Sequence, residues 1–194
     1  SISSSDTGEA TATSSLTFTT ANWNAPKTVT ITGVDDDIID GTQTSTITVS
    51  IIDGISDDAF DSVADQTVSV TTTDDDVAGF TVTETGGSTG VSESGTTDLF
   101  SIVLNTQPGS DVVLSITSSD TDEATVDSLI QFTSANWDTP QNVTVTGVDD
   151  GIIDGTQTST ITITVVDAIT DDEFDAVADQ TVSVTTADDD VAGF

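Results

Sequence analysis

Carboxylates are the reactive side chains this sequence holds in quantity, and they come in groups. Asp149-Asp150 stands with Asp154, Asp171-Asp172 with Asp175, and Asp188-Asp189-Asp190 forms a run. An earlier set reads Asp35-Asp36-Asp37 with Asp40, Asp57-Asp58 with Asp61, and Asp74-Asp75-Asp76. Neighbouring carboxylates repel one another, and a cation between them relieves the repulsion. Oxygen donors suit hard divalent ions. Calcium takes about six to eight oxygens from carboxylates and carbonyls, whereas magnesium keeps more of its water. No His or Cys is present to favour zinc or copper. The groups around Asp149 and Asp188, with their earlier counterparts, therefore read as calcium ligands. The Asp171 group stays open between a ligand loop and a solvated surface. An EF-hand fits poorly, because the twelfth position of a loop starting at Asp35 is Thr46 rather than an acid.

The charge balance removes several functions. Lys and Arg number 1 against 35 Asp plus Glu, for a formal charge of −34. Phosphate contacts to nucleic acid need the opposite sign, and anionic membrane surfaces are disfavoured on the same ground. No apolar run is long enough to insert into a bilayer. A charge this large opposes compaction unless something neutralises it. Enzymatic chemistry is not expected: the chain has no His, Cys or Tyr, its single Lys27 becomes Gln141 in the repeat described below, and no Ser has a base partner. Paired carboxylates could serve a glycosidase, but no cleft motif accompanies them.

The elements that must position the carboxylates are repeated. Ala21-Asn22-Trp23 returns as Ala135-Asn136-Trp137, and Asp74-Asp75-Asp76-Val77-Ala78-Gly79-Phe80 as Asp188-Asp189-Asp190-Val191-Ala192-Gly193-Phe194, both at an offset of 114. Residues 1–80 align without a gap to 115–194, with roughly 57 of 80 positions identical, which marks a tandem array. Residues 1–76 read as a first module that lacks its opening strands, 77–190 as a complete module and 191–194 as the start of the next. Ser1 reads as an internal cut of a longer chain. The missing strands are expected either from another chain, by strand donation, or from the continuing array.

Within 77–190, Val and Ile alternate with Thr and Ser, the composition of half-buried strands. Strands are expected near 79–83, 97–104, 111–116, 129–133, 141–148, 159–166 and 181–185, with turn signals such as Gln107-Pro108-Gly109 and Asp154-Gly155 between them. About seven short strands in a module this size predict an all-β fold of tandem Greek-key antiparallel β-sandwiches. Phe18, Phe60, Phe132 and Phe174 read as core, and Trp23 and Trp137 as half-buried core residues rather than sugar platforms, which need several aromatics.

The complete module resembles the Calx-beta family, calcium-binding Ig-like sandwich domains found in sodium/calcium exchangers and in large bacterial surface proteins. Its most specific matches are Gly147-Val148-Asp149-Asp150-Gly151-Ile152-Ile153-Asp154 and the stretch from Val182 through Asp188-Asp189-Asp190 to Gly193. The resemblance implies Ca2+ ligands at Glu93, Asp122, Asp149, Asp150, the Ile152 carbonyl, Asp154, Asp188, Asp189 and Asp190. In the first module it implies Asp35, Asp36, Asp40, Asp74, Asp75 and Asp76. Two departures imply fewer ions or weaker binding: Gln157 stands where a further acid is common, and Gly8 replaces the counterpart of Asp122. Extracellular modules bind calcium with dissociation constants of about 10⁻⁴ to 10⁻³ M, so such a module would fill outside the cell. The resemblance thus implies an extracellular, cell-surface repeat whose partners are neighbouring repeats: a calcium-stiffened spacer, an adhesin stalk or a filament-forming protein. The alternative is a calcium-dependent module binding carbohydrate or another cell-surface ligand.

Overall fold

The computed structural model describes residues 1–193, which form two compact units, Ser1–Asp75 and the chain from Asp76 onward. The first unit holds β1 (Ile2–Ser4), β2 (Ala10–Ala12), β3 (Ile31–Gly33), β4 (Gln43–Val49) and β5 (Gln66–Thr72). The second holds β6 (Phe80–Glu84), β7 (Thr89–Ser92), β8 (Thr97–Leu104), β9 (Val112–Ser118), β10 (Ala124–Val126), β11 (Leu129–Phe132), β12 (Gln141–Gly147), β13 (Gln157–Val165) and β14 (Gln180–Ala187). Helical structure among the described residues is confined to single 3-10 turns.

The second unit is an antiparallel Greek-key β-sandwich. One sheet has the order β10-β12-β8-β6 and the other β11-β9-β13-β14-β7, and every pairing is antiparallel except β7 on β14. Alternation builds its core. Along β13, Ser159, Ile161, Ile163 and Val165 are buried while the threonines between them point away, as a two-residue side-chain period requires. Opposite them stand Phe100, Ile102 and Leu104 of β8 with Val143 and Val145 of β12. Phe174, carried on the 3-10 turn Asp172–Phe174, closes the core. Two strands, β7 and β10, fall outside the sequence expectation. Their segments, Thr-Gly-Val-Ser and Ala-Thr-Val, are too short to show a period, and their neighbours hold them extended.

The first unit repeats the later part of this sandwich. Strands β1, β4 and β5 correspond to β9, β13 and β14, and the registers match: Ile47 faces Val68 as Ile161 faces Val182. Strands β2 and β3 pair as β10 and β12 do. No strand of this unit corresponds to β6, β7 or β8, so the same side chains meet a different fate. Phe18 is 53 % exposed where Phe132 is 0 %, Phe60 is 55 % exposed where Phe174 is 0 %, and Val68 is 52 % exposed where Val182 is 2 %. Expecting Phe18 and Phe60 in the core was therefore wrong, as was a half-buried Trp23. Half of the facing sheet, β6 and β8, is supplied in the second unit by residues that precede position 115. Of the 191–194 segment, Val191, Ala192 and Gly193 form no strand, and Phe194 lies outside the described residues.

Gly147 shows how closely β7 approaches β12. A Cβ there would lie 2.1 Å from the Ser92 carbonyl oxygen, whereas at its counterpart Gly33 it would meet only the Thr72 methyl at 3.7 Å. Gly147→Ala is expected to destabilise the second unit by about 1 to 3 kcal/mol through this clash with backbone. Gly33→Ala should be near neutral. Thermal melts of the two variants distinguish them, and equal effects would contradict the packing described.

Candidate metal centre

Strand direction gathers the acids. Because β7 and β14 run parallel, both deliver the residue that follows them to the same end of the sandwich: Glu93 after Ser92, and Asp188 after Ala187. The Glu93 amide donates to the Ala187 carbonyl at 3.1 Å. Strand β12 runs antiparallel to β10, so its exit toward Asp149 and Asp150 lies beside the entry to β10 at Glu123. The Val148 amide donates to the Glu123 carbonyl at 2.9 Å, and the Thr186 hydroxyl donates to the same oxygen at 3.3 Å.

Two carboxylate groups result, and Glu93 belongs to both. Glu93, Glu123 and Asp154 bring carboxylate oxygens within 4.8 Å of one another, as do Glu93, Asp150 and Asp190. Glu93 is 1 % exposed and Glu123 6 %. Among the described residues, Glu93 Oε1, Glu123 Oε2 and Asp190 Oδ2 are buried with no hydrogen-bond donor. Burial, followed by the Asp188, Asp150 and Glu123 charges, pushes the Glu93 carboxyl above its ordinary range, although the Asp189 amide, donating to Glu93 Oε2 at 3.4 Å, opposes this. Burial first and then Asp154, Asp150, Asp120 and Asp122 raise Glu123. Asp190 is raised by burial and then by Asp149, Asp188, Asp189 and Asp150. Buried carboxylates without donors are strongly disfavoured as anions unless a cation accompanies them.

Asp188 behaves oppositely. Its Oδ2 accepts from the Gly155 amide at 2.8 Å and its Oδ1 from the Asp190 amide at 2.7 Å, and these donors hold its carboxyl below the usual range. It pins the 150–155 loop against the end of β14. Asp150 Oδ1 accepts from the Ile152 amide at 2.6 Å, forming the bend of that loop, and Ile152 itself is exposed. Asp149 and Asp189 are exposed and stand outside both groups. Asp122 is exposed too, its amide on Asp120 Oδ1 at 3.1 Å, and it joins neither group. The adjacent Glu123 does. Sequence reasoning did not single Glu123 out, yet the repeat held the signal: Glu9 matches Glu123, while Gly8 replaces Asp122.

The first unit builds the same frame. The Val34 amide and the Thr72 hydroxyl donate to the Glu9 carbonyl at 2.9 and 3.0 Å, and Asp74 Oδ2 accepts from the amides of Asp40 and Gly41 at 3.1 and 2.8 Å. Asp36 Oδ1 accepts from the Ile38 amide at 2.9 Å. Burial and the charges of Asp40, Asp36, Asp6 and Asp74 raise the Glu9 carboxyl. Asp35 and Asp75 are exposed, and Asp76 falls in the second unit.

No family model matches this chain, and no curated protein matches it. Solved structures resemble it at low identity. Domains 1–6 of the surface layer protein SbsC superpose with a TM-score of 0.44 at 17 % identity over 98 % of this chain and 20 % of that one. The S-layer protein rSbsC(31–844) gives 0.42 at 18 %, covering 96 % and 19 %, and the E. coli chaperone DraB gives 0.42 at 7 %, covering 60 % and 59 %. The chain thus spans about a fifth of the S-layer chains and under two thirds of the chaperone.

The Asp171 group, left open by sequence, works as a staple. Asp171 Oδ2 accepts from the Ser110 amide at 2.6 Å and the Ser110 hydroxyl at 3.2 Å, and Oδ1 accepts from the Glu173 amide at 3.1 Å. Its oxygens are occupied by donors, in contrast to the orphaned ones of Glu93 and Glu123. The opposite end differs: an all-oxygen, anionic, partly buried donor set short of hydrogen-bond donors suits a hard divalent cation. Glu93, Glu123, Asp150, Asp154 and Asp190 would hold it. The cation would supply positive charge at a point where the chain has none.

Proposed function

We propose that this chain is a calcium-stiffened extracellular repeat, a structural spacer or stalk of a surface protein, of the kind its resemblance to Calx-beta domains implies. The observation that carries the reading is the convergence of Glu93, Glu123, Asp150, Asp154 and Asp190 with three orphaned carboxylate oxygens. Calcium is favoured over magnesium because several protein carboxylates face one small region, and magnesium dehydrates reluctantly. The ion would tie the ends of β7 and β14 in one sheet to the ends of β10 and β12 in the other. Such a tie converts charge neutralisation into rigidity. High identity between neighbouring repeats, roughly 57 of 80 positions, favours reach over distinct chemistry. The absence of His, Cys and Tyr from the sequence favours a non-enzymatic role. No helix among the described residues is long and apolar enough to cross a membrane.

Isothermal calorimetry on the whole chain tests the reading. Calcium should bind with a dissociation constant of about 10⁻⁴ to 10⁻³ M, and magnesium more weakly. Glu93→Gln should weaken calcium binding by about tenfold or more, since loss of even an outer-shell partner costs about 10- to 100-fold in metal affinity. Absence of calcium uptake at millimolar concentration, or an unchanged affinity in Glu93→Gln, would overturn it.

A further inference from the structure

The first unit presents a docking face whose occupant the second unit displays. Trp23, Phe18, Phe60 and Val68 are exposed, and among the described residues β5 pairs on one side only, with β4. In the second unit the corresponding side chains pack in or against one core with residues of β6, β7 and β8, and β14 carries β7 on its second side. The end of β8 also reaches Trp137, where the Leu104 amide donates to the Trp137 carbonyl at 3.1 Å. Faces with matching residues and matching register call for matching covers. Apolar area of this kind, beside an unpaired strand edge, is the feature by which sheets accept an added strand.

We propose that the first unit binds an extended segment with the pattern of residues 77–114, and that this segment's glutamate, the equivalent of Glu93, completes the acidic frame built by Glu9, Asp36, Asp40 and Asp74. The segment lays one strand parallel to β5, as β7 lies on β14, and a second against β3, as β8 lies on β12. The second half of this proposal rests on the cation reading above. The first half does not.

Exchange between copies of residues 1–194 cannot satisfy every face. Each copy holds two faces of this type, in residues 1–75 and 115–190, and one covering segment, so a donated segment uncovers one face for each that it covers. Among copies of residues 1–194 the occupant is therefore a separate segment with the pattern of residues 77–114. The principal competitor is a second copy, docked face to face through the first units.

The probe is a synthetic peptide of residues 77–114, titrated into the whole chain carrying Trp137→Phe, so that Trp23 alone reports. Binding should blue-shift Trp23 emission, and hydrogen exchange should slow in Gln66–Thr72 and Ile31–Gly33. A peptide carrying Phe100→Asp should fail to bind. Affinity should be about tenfold higher in calcium than in chelator, and a peptide with Glu93→Gln should bind without that difference. No binding of the unaltered peptide, or a chain already dimeric through these strands that the peptide leaves dimeric, overturns the proposal. Binding that is equal with and without calcium upholds the strand addition and overturns the glutamate's role. Calcium uptake by the second unit, measured without peptide, separates that outcome from failure of the cation reading itself.

Discussion

Phe174→Ala should lower the stability of the second unit by about 3 to 5 kcal/mol, the usual penalty for emptying a fully buried aromatic site. Phe60→Ala, its counterpart, should change stability by no more than about 0.5 kcal/mol, as at ordinary surface positions. The two substitutions delete the same atoms from the same local sequence, Asp-Asp-x-Phe-Asp. Only the cover differs: Phe174 is fully buried in the core and Phe60 is more than half exposed. Thermal melts should show a fall of roughly 10 °C or more for the first variant and almost none for the second. Comparable losses would mean that the first unit buries Phe60 after all.

Calcium should raise the melting temperature of the second unit, and Glu93→Gln should reverse its own sign between two buffers. At a hundredfold excess over the dissociation constant, a ligand bound only by the folded state contributes about 2.7 kcal/mol. In chelator, the Gln variant should melt higher than the parent, since it removes a buried carboxylate charge that lacks an adequate partner. In calcium it should melt lower, having lost a ligand of both groups. Acid acts on the parent with the same logic. Burial and neighbouring charges raise the folded pKa values of Glu93, Glu123 and Asp190, so in chelator their contribution to stability is present at low pH and lost as pH rises through those values. In calcium the same protons compete with the ion, and acidification from neutrality should shrink the calcium-dependent gain. Differential scanning calorimetry across pH in both buffers reads all of this. A Gln variant that melts below its parent in both buffers would indicate loss of packing alone.

The longer strands were legible because alternation in Thr-Ile-Thr-Ile and Thr-Val-Ser-Val is a local property that the sheet merely uses. Strands β7 and β10 were not, since four and three residues carry no period and depend on β14 and β12 to stay extended. Most of the acidic loops could be located from composition and repetition. Glu123 was passed over for Asp122, one residue away, because both lie in the turn before β10, where the Ala124 amide donates to the Asp120 carbonyl and no period says which acid faces inward: Glu123 is buried and Asp122 exposed. The burial of the phenylalanines was illegible for another reason. Phe18 and Phe132 sit in similar local sequence, and residues far away in the chain determine whether each is covered.

The parallel pairing of β7 with β14 also has a mechanical meaning. The chain enters the second unit through β6 and leaves it beyond Ala187, so once β6 has parted from β8 a lengthwise pull on the two ends drags β7 and β14 past each other in opposite directions. The rungs from Val184–Thr89 to Ala187–Ser92 then carry the load together, in shear, and cannot open in succession as the teeth of a zip do. Glu93 and Asp188, the first residues beyond the ladder, stand at one end of that seam, so an ion held there would act on it as a rivet.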